Sequence, residues 1–360
     1  MSNRYLLCRP RGGLNDTLCR IQACWRYAER SGRHLVIDTA ASSLAGDFTD
    51  YFELLPTAGP VTPVLDAPLL AHLNTLVCRP AVVAGRLDRY VARPMGDRGF
   101  VEQVSGERTR FDLEALEAAP TDLCEPLLVY DDSGGGSASF ELLARVRFSA
   151  AVRASAREAL AALGPDYVAV HVRNTDYRTD YVGLFERLRR RVGRQVLLVC
   201  SDDPAVVDYA RGVFAGPVLV STVRQRSAHP KGVQHYPEAY HDVEARRRAA
   251  MDSLVDLVAL SNARRLYYAP IGGVLDLPTA TGQLSVRPLR VGPVSGFSHL
   301  ARYLCTRKDR LDALLDVPAN QRRDPDLSAA TEVCSMETRL RRWLSRSRTR
   351  ARAAFAVTRR

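Results

Sequence analysis

The chain lacks any apolar run approaching the ~20 residues that a membrane-spanning helix needs. Its first residues, Met1-Ser2-Asn3-Arg4, lead straight into a short strand-like run and carry no apolar signal-peptide core. The eight cysteines (Cys8, Cys19, Cys24, Cys78, Cys124, Cys200, Cys305 and Cys334) are scattered, and none makes a Cys-x-x-Cys pair with a matching His or Cys group. That spacing argues against a zinc site and against a disulfide framework. Several of these cysteines lie within apolar runs, where a free thiol behaves as a small buried hydrophobe. No internal repeat, helix-turn-helix, zinc finger or RNA-binding aromatic signature is visible. The expectation is a cytoplasmic protein in a reducing compartment.

What is present is an ordinary globular composition, 46% apolar and 25% charged over 360 residues, enough for two domains with full cores. The net charge of +11 is concentrated at the end of the chain. Arg339, Arg341, Arg342, Arg346, Arg348, Arg350, Arg352, Arg359 and Arg360 face a lone Glu337. Met336, Leu340, Trp343, Leu344 and Ser347 fall on one face of a helix through this segment, with arginines on the others. Such a basic amphipathic helix can lie on an anionic membrane, which would place the protein peripherally on the inner face of the cell membrane. It reads equally as a solvated tail. The charge also raises nucleic-acid binding as a rival reading. The arginines lack the interleaved aromatics of single-strand binders, so no nucleic acid is expected as partner.

The body alternates strands and helices. Tyr5-Leu6-Leu7-Cys8 reads as a strand. Leu14, Leu18, Ile21, Trp25 and Ala28 then recur at helical spacing up to Ser31-Gly32, and His34-Leu35-Val36-Ile37 reads as the next strand. That βαβ unit implies a parallel sheet. Leu127 to Tyr130 is another strand, with Asp131-Asp132-Ser133-Gly134-Gly135-Gly136 expected as a flexible loop. A helix is expected over Phe148–Leu163. The second half has strands near 167–172, 195–200, 217–220 and 265–268, and helices near 182–192, 204–214, 242–262 and after Gly296, with a polar loop over 224–240. The expected organisation is an N-terminal Rossmann-like domain at 1–150, a C-terminal one at 151–330 and a basic tail at 331–360.

Two short motifs sit where strands end and turn, the place where open α/β sheets bind ligands. In Arg11-Gly12-Gly13-Leu14-Asn15-Asp16 the glycines permit close backbone approach, and the following helix adds its positive dipole end. A plain tight turn with Asn15 or Asp16 as N-cap explains the same residues. In His171-Val172-Arg173-Asn174-Thr175-Asp176, His171 and Arg173 alternate with Val172 and share a face. The Arg173 fork suits phosphate oxygens and could neutralise a leaving pyrophosphate; a salt bridge from Arg173 to Asp176 or Asp180 is the structural alternative. Ser201-Asp202-Asp203-Pro204 offers carboxylates to a ribose or a guanine edge, or a cap to the helix that Pro204 begins. The loop supplies too few oxygens for a hard metal, and none is expected. Asp256, set among Leu254, Val255, Leu257 and Val258, needs a partner if buried. Two such crevices in two halves suggest a nucleotide-sugar enzyme.

The ordered set of motifs resembles the GDP-fucose-dependent fucosyltransferases of the nodulation and core α-1,6 type, related to the protein O-fucosyltransferases. Gly12-Gly13-Leu14-Asn15 is similar to their opening segment, and His171-Val172-Arg173 to their His-x-Arg motif. Ser201-Asp202-Asp203-Pro204 is similar to their acidic strand end, Val255-Asp256-Leu257 to their Asp-bearing helix, and Ser295-Gly296-Phe297-Ser298 to their late serine turn. The resemblance covers most of residues 5–305. It implies a GT-B-like α/β fold with two Rossmann-like domains facing across a cleft, and inverting transfer without metal or cofactor from GDP-fucose to a glycan or lipid-linked glycan. Arg173 would bind the β-phosphate and His171 would help hold the diphosphate. Asp256 would contact the nucleoside, and Asp202 or Asp203 the nucleotide sugar. The Gly12-Gly13 turn, with Asn15, would close over the diphosphate; Asp176 and Ser298 would complete the donor site.

The chain departs from that pattern in three places. Asn174 stands where the core-fucosylating enzymes carry a second Arg. Asp180 is the nearest substitute for a displaced carboxylate and becomes the candidate general base. About twenty residues are inserted between Tyr268 and Ser295. These departures keep open a second reading, a relative that binds a nucleotide sugar without transferring it.

Overall fold

The computed structural model describes residues 4–56, 59–92, 100–102, 104–106, 108–109, 122–222, 243–275, 286–288, 293–324 and 329–334. The chain forms two compact units. One is built from Met1–Ala159, Val233–Val258 and Arg307–Pro325, the other from Leu160–Gly232, Ala259–Thr306 and Asp326–Arg360. The expected loop over 224–240 and the basic tail beyond Cys334 lie outside the described residues.

The first unit is organised around β1 (Tyr5–Arg11), α1 (Leu14–Ser31), β2 (His34–Ile37), β3 (Val61–Thr62), β4 (Cys78–Arg79) and β5 (Leu127–Ser133). The strands lie in the order β3-β2-β1-β5-β4, every pairing parallel. Leu6, Leu7 and Cys8 are fully buried, as a central parallel strand covered on both faces requires. The five residues that mark the apolar stripe of α1 are all buried, and Gly32 ends the helix with φ 65° and an N–H donated to the Ala28 carbonyl. Arg33, wholly buried, anchors the strand starts: its Nε donates to Asp122 at 2.8 Å and its Nη1 to the carbonyls of Tyr5 and Glu125 at 3.1 and 2.9 Å.

Two expectations are corrected here. Asp131, Asp132 and Ser133 are not loop but the last residues of β5, paired in register with Arg9, Pro10 and Arg11 of β1. Asp131 is tolerated in a buried strand because Arg11 ion-pairs with it across the ladder. Phe148 ends a short strand, Val146–Phe148, and the helix α2 begins at Ala150 and runs to Leu163.

The second unit contains β6 (Val168–Val172), α3 (Tyr181–Val192), β7 (Leu197–Ser201), α4 (Pro204–Val213), β8 (Val218–Leu219), the end of α5 (Val243–Asn262), β9 (Arg265–Tyr268), α6 (Gly296–Thr306) and β10 (Ala329–Glu332). Its strands lie in the order β8-β7-β6-β9-β10, again all parallel. Val168, Val170 and Val172 of β6 pack in one cluster with Leu184, Phe185, Leu188 and Val192 of α3 and with Val206 and Ala210 of α4. Each such buried Val, Leu or Phe side chain contributes roughly 1.5–3 kcal/mol. Period-two alternation then turns His171 to the other face of the sheet. The chain runs outward from β6 to β7 and β8 on one side, and returns to β9 and β10 on the other. The C-terminal end of β6 is therefore the topological switch point, where such sheets open a ligand crevice.

Candidate functional site

The loop that leaves β6 gathers the charged residues of the second unit. Arg173 donates through Nε to Asp176 Oδ1 at 2.8 Å and stands 3.0 Å from Asp202 Oδ2 at the end of β7. Burial alone would lower the pKa of this guanidinium, but Asp202 and Asp176 more than offset it and hold it above its ordinary value. The arginine is thus a fixed, fully charged group with its side chain 19% exposed.

Asn174, 5% exposed, braces the same loop. Its backbone N–H donates to Asp202 Oδ1 at 2.7 Å, its side-chain amide donates to Asp203 Oδ2 at 2.7 Å, and its Oδ1 accepts from Thr179 N–H at 3.3 Å. Thr175 adds a hydroxyl on Asp202 Oδ2 at 2.6 Å. Thr179 donates its hydroxyl to the Arg173 carbonyl at 2.6 Å. Tyr177-Arg178 pair antiparallel with Gly273 and Val274, which fixes the outer side of the turn. The two neighbouring aspartates divide the work: Asp203 also caps α4 through Ala205 N–H at 3.0 Å, while Asp202 serves the Arg173 loop.

His171, 7% exposed, is set by residues from far along the chain. Its Nδ1 is 2.6 Å from Ser298 Oγ at the start of α6, and its ring lies 5.0 Å from that of Phe297. Ser295 Oγ donates to Ser298 Oγ at 3.2 Å and accepts from Ser298 N–H at 3.1 Å, so the serine turn orients itself before it orients the imidazole. The structure therefore joins Arg173, Asp176, Asp202 and Asp203 in one bonded cluster through the Asn174 loop, and sets His171 against Ser298 at the end of the same strand. Sequence reasoning missed Asn174, Thr175 and Thr179 as the scaffold of that cluster, since Asn174 and Thr175 meet their aspartates almost thirty residues away and Thr179 serves only the loop that they hold. Asp180 is exposed and caps α3, accepting from Gly183 N–H at 2.9 Å. Asp256 is buried, 4% exposed, on the part of α5 that belongs to the first unit. Among the described residues, no group of three or more His, Cys, Asp or Glu side chains could share a metal ion.

The first unit carries the Gly12-Gly13 turn at the end of β1. Gly12 has φ 97°, and a Cβ there would lie 2.9 Å from the Asp16 Cβ, so glycine is required. Asp16 Oδ2 accepts from Gly13 N–H at 3.3 Å, which gives the turn an internal carboxylate cap. Asn15, 3% exposed, donates to the Gly136 carbonyl at 3.2 Å and accepts from Ser139 Oγ at 2.7 Å. Its amide ties the glycine turn to the Gly134-Gly135-Gly136 loop that follows β5.

Beneath this turn lies the Arg11–Asp131 pair, with side chains 2% and 0% exposed. Burial pushes the Asp131 carboxyl up to about 7 against the pull of Arg11. An unfolded aspartate titrates near ~3.9, so the native state holds a proton that the unfolded chain has already released. The resulting stability is full below about pH 4 and is lost as the pH rises through about 7. Urea midpoints of wild type and Asp131→Asn across pH 4.5 to 8 should show wild type losing ground to the variant as pH rises, then a constant difference. A difference that stays constant across the whole range would remove Asp131 from the titration.

No family model matches the chain. Over 53 residues it is 45% identical to Nodulation protein Z of Sinorhizobium fredii (strain NBRC 101917 / NGR234), a stretch that makes up 14% of this chain and 16% of that relative. Its structure is similar to fucosyltransferase NodZ from Bradyrhizobium, at 20% identity over 84% of this chain and 94% of that one, with a TM-score of 0.52. It is also similar to NodZ alpha-1,6-fucosyltransferase soaked with GDP-fucose, at 20% identity over 79% and 99%, with a TM-score of 0.50. The resemblance read from the motifs therefore holds at the level of the fold: a GT-B-type α/β chain with two Rossmann-like units.

Proposed function

We propose that the chain is a glycosyltransferase that takes fucose from GDP-fucose. The observation that carries this reading is Arg173, a fixed cation at the switch point of a NodZ-like fold, beside a His171 held by Ser298. Arg173 binds the β-phosphate, and His171 with Ser298 lines the diphosphate side of the crevice. Asp202 and Asp203 shape the loop and face the nucleotide, Asp176 steers Arg173, and Asp256 contacts the nucleoside. The Gly12-Gly13 turn, with Asn15 behind it, is proposed as a further diphosphate-binding element. No metal takes part in this scheme.

Transfer proceeds by direct displacement with inversion. The acceptor hydroxyl oxygen bonds to the anomeric carbon as the bond to the β-phosphate oxygen breaks. The electron pair leaves with GDP, where Arg173 stabilises it. The hydroxyl proton passes to a base, for which Asp180 is the proposed residue. The acceptor is a glycan or lipid-linked glycan, and residues 336–360 serve as a basic membrane-facing segment. Among the described residues no helix is long and apolar enough to cross a membrane.

The test is thermal unfolding with GDP, UDP, ADP and GDP-fucose, followed by GDP release in the presence of glycan acceptors. A ligand at a hundred times its Kd stabilises the native state by about 2.7 kcal/mol. The expected result is a rise in Tm with the guanine nucleotides alone and turnover with at least one acceptor. Stabilisation without turnover would favour a nucleotide-sugar-binding relative. The absence of any shift would overturn the reading.

A further inference from the structure

The C-terminal half of α3 carries a concentration of charge that the nucleotide reading does not use. Arg187, Arg189, Arg190, Arg191 and Arg194 line a groove of about 810 Å³, with Glu186 as the one acid on its wall. All five arginines are exposed, and none is ion-paired among the described residues. Three arginines elsewhere in the same unit are ion-paired: Arg173 with Asp176 and Asp202, Arg211 with Asp208, and Arg264 with Asp166. Cations in the last turn of a helix are favoured by its dipole, which accounts for Arg189, Arg190 and Arg191 as residue types. The dipole effect is confined to that turn, so it does not explain Arg187 and Arg194, nor why all five border one concavity.

The groove has an apolar side as well. Ala215 and Val333 contribute to its wall together with Cys334. Cys334 is followed in the sequence by residues 335–360, which carry nine arginines against Glu337, with Met336, Leu340, Trp343 and Leu344 spaced between them. A strongly cationic stretch of the sequence thus follows directly on a residue of the groove's wall. Basic residues interleaved with Leu and Trp are the pattern of a segment that lies at a lipid interface.

We propose that the arginine groove of α3 binds the phosphate of an anionic lipid headgroup and so docks the second unit on an anionic bilayer. Guanidinium forks match phosphate oxygens, the apolar wall tolerates the glycerol end of a headgroup, and each arginine near the surface adds to the attraction. Nucleic acid is disfavoured because, among the described residues, no aromatic side chain lines the groove to stack on bases.

The test uses the full chain and sedimentation with vesicles of phosphatidylcholine alone, or with one third phosphatidylglycerol. Wild type should bind the anionic vesicles and not the neutral ones. The triple variant Arg187→Gln, Arg190→Gln, Arg194→Gln should bind on the order of a hundredfold more weakly, because each basic residue contributes about fivefold. The matching lysine variant should stay within about threefold of wild type. Unchanged binding by the glutamine variant would overturn the proposal, since the segment after Cys334 would then act alone. Tighter binding of an RNA or DNA oligonucleotide than of the vesicles, lost in the same variant, would also overturn it. Full competition by millimolar glycerol phosphate would overturn the bilayer as source and leave a soluble phosphate site. Tm and the GDP-induced shift, measured alongside, should match wild type in every variant. A missing GDP shift would count against the transferase reading and leave the vesicle result standing.

Discussion

Arg173→Ala is expected to abolish transfer, with kcat/KM down on the order of a thousandfold or more, and to remove the thermal shift caused by GDP. The reason is the position of the charge. A departing diphosphate gathers negative charge as the glycosidic bond breaks, and removing a single preorganised donor of this kind typically costs ~10²- to 10³-fold. Arg173 is more than one donor, because it offers a fork and a full charge. The substitution also leaves Asp176 and Asp202 without their shared cation, so a lower Tm is expected from their repulsion. Arg173→Lys separates these effects. It retains the charge between the two carboxylates and so keeps the Tm near wild type, but it loses the planar fork and should still lose about a hundredfold in turnover. GDP release measured on wild type and both variants decides the matter. Wild-type turnover in Arg173→Ala would sink the assignment of this crevice.

The parts of this site that were legible in the sequence are those set by short-range pattern. The stripe of Leu14, Leu18, Ile21, Trp25 and Ala28 is a helix because one face repeats at helical spacing, and all five are buried. Alternation alone sets His171 opposite Val172 on its strand, and the core cluster contains Val172 without it. The Asp202-Asp203-Pro204 grammar correctly anticipated that one aspartate caps the next helix. What stayed hidden depends on pairing across the chain. Asp131 and Asp132 look like turn residues beside three glycines, and only Arg11 in the neighbouring strand makes Asp131 acceptable in β5. Asn174 stands where the related enzymes carry a second Arg, and its role is set by long-range partners. It is a buried brace, bonded to Asp202 and Asp203 across a sequence distance that no window captures. Ser298 meets His171 over an even longer separation.

That brace makes the second large effect calculable in direction. Asp202→Ala removes, in one step, the acceptor for Asn174 N–H, the acceptor for the Thr175 hydroxyl and one of the two carboxylates that hold Arg173. Asn174 N–H loses its partner inside a buried residue, which costs about 1–3 kcal/mol unless water enters. Arg173 keeps Asp176, so its charge stays compensated while its direction is freed. Misplacing a positioned group by about an ångström can cost a hundredfold in rate. The expected result is a fall of about a hundredfold in kcat with a smaller change in KM for GDP-fucose, together with a lower Tm. Asp202→Asn should recover most of the stability, because an amide oxygen can still accept from Asn174 N–H. It should recover little of the rate, because the charge that steers Arg173 is gone. If instead KM rises by the larger factor while kcat holds, Asp202 acts chiefly through its contact with the nucleotide sugar and not by positioning Arg173.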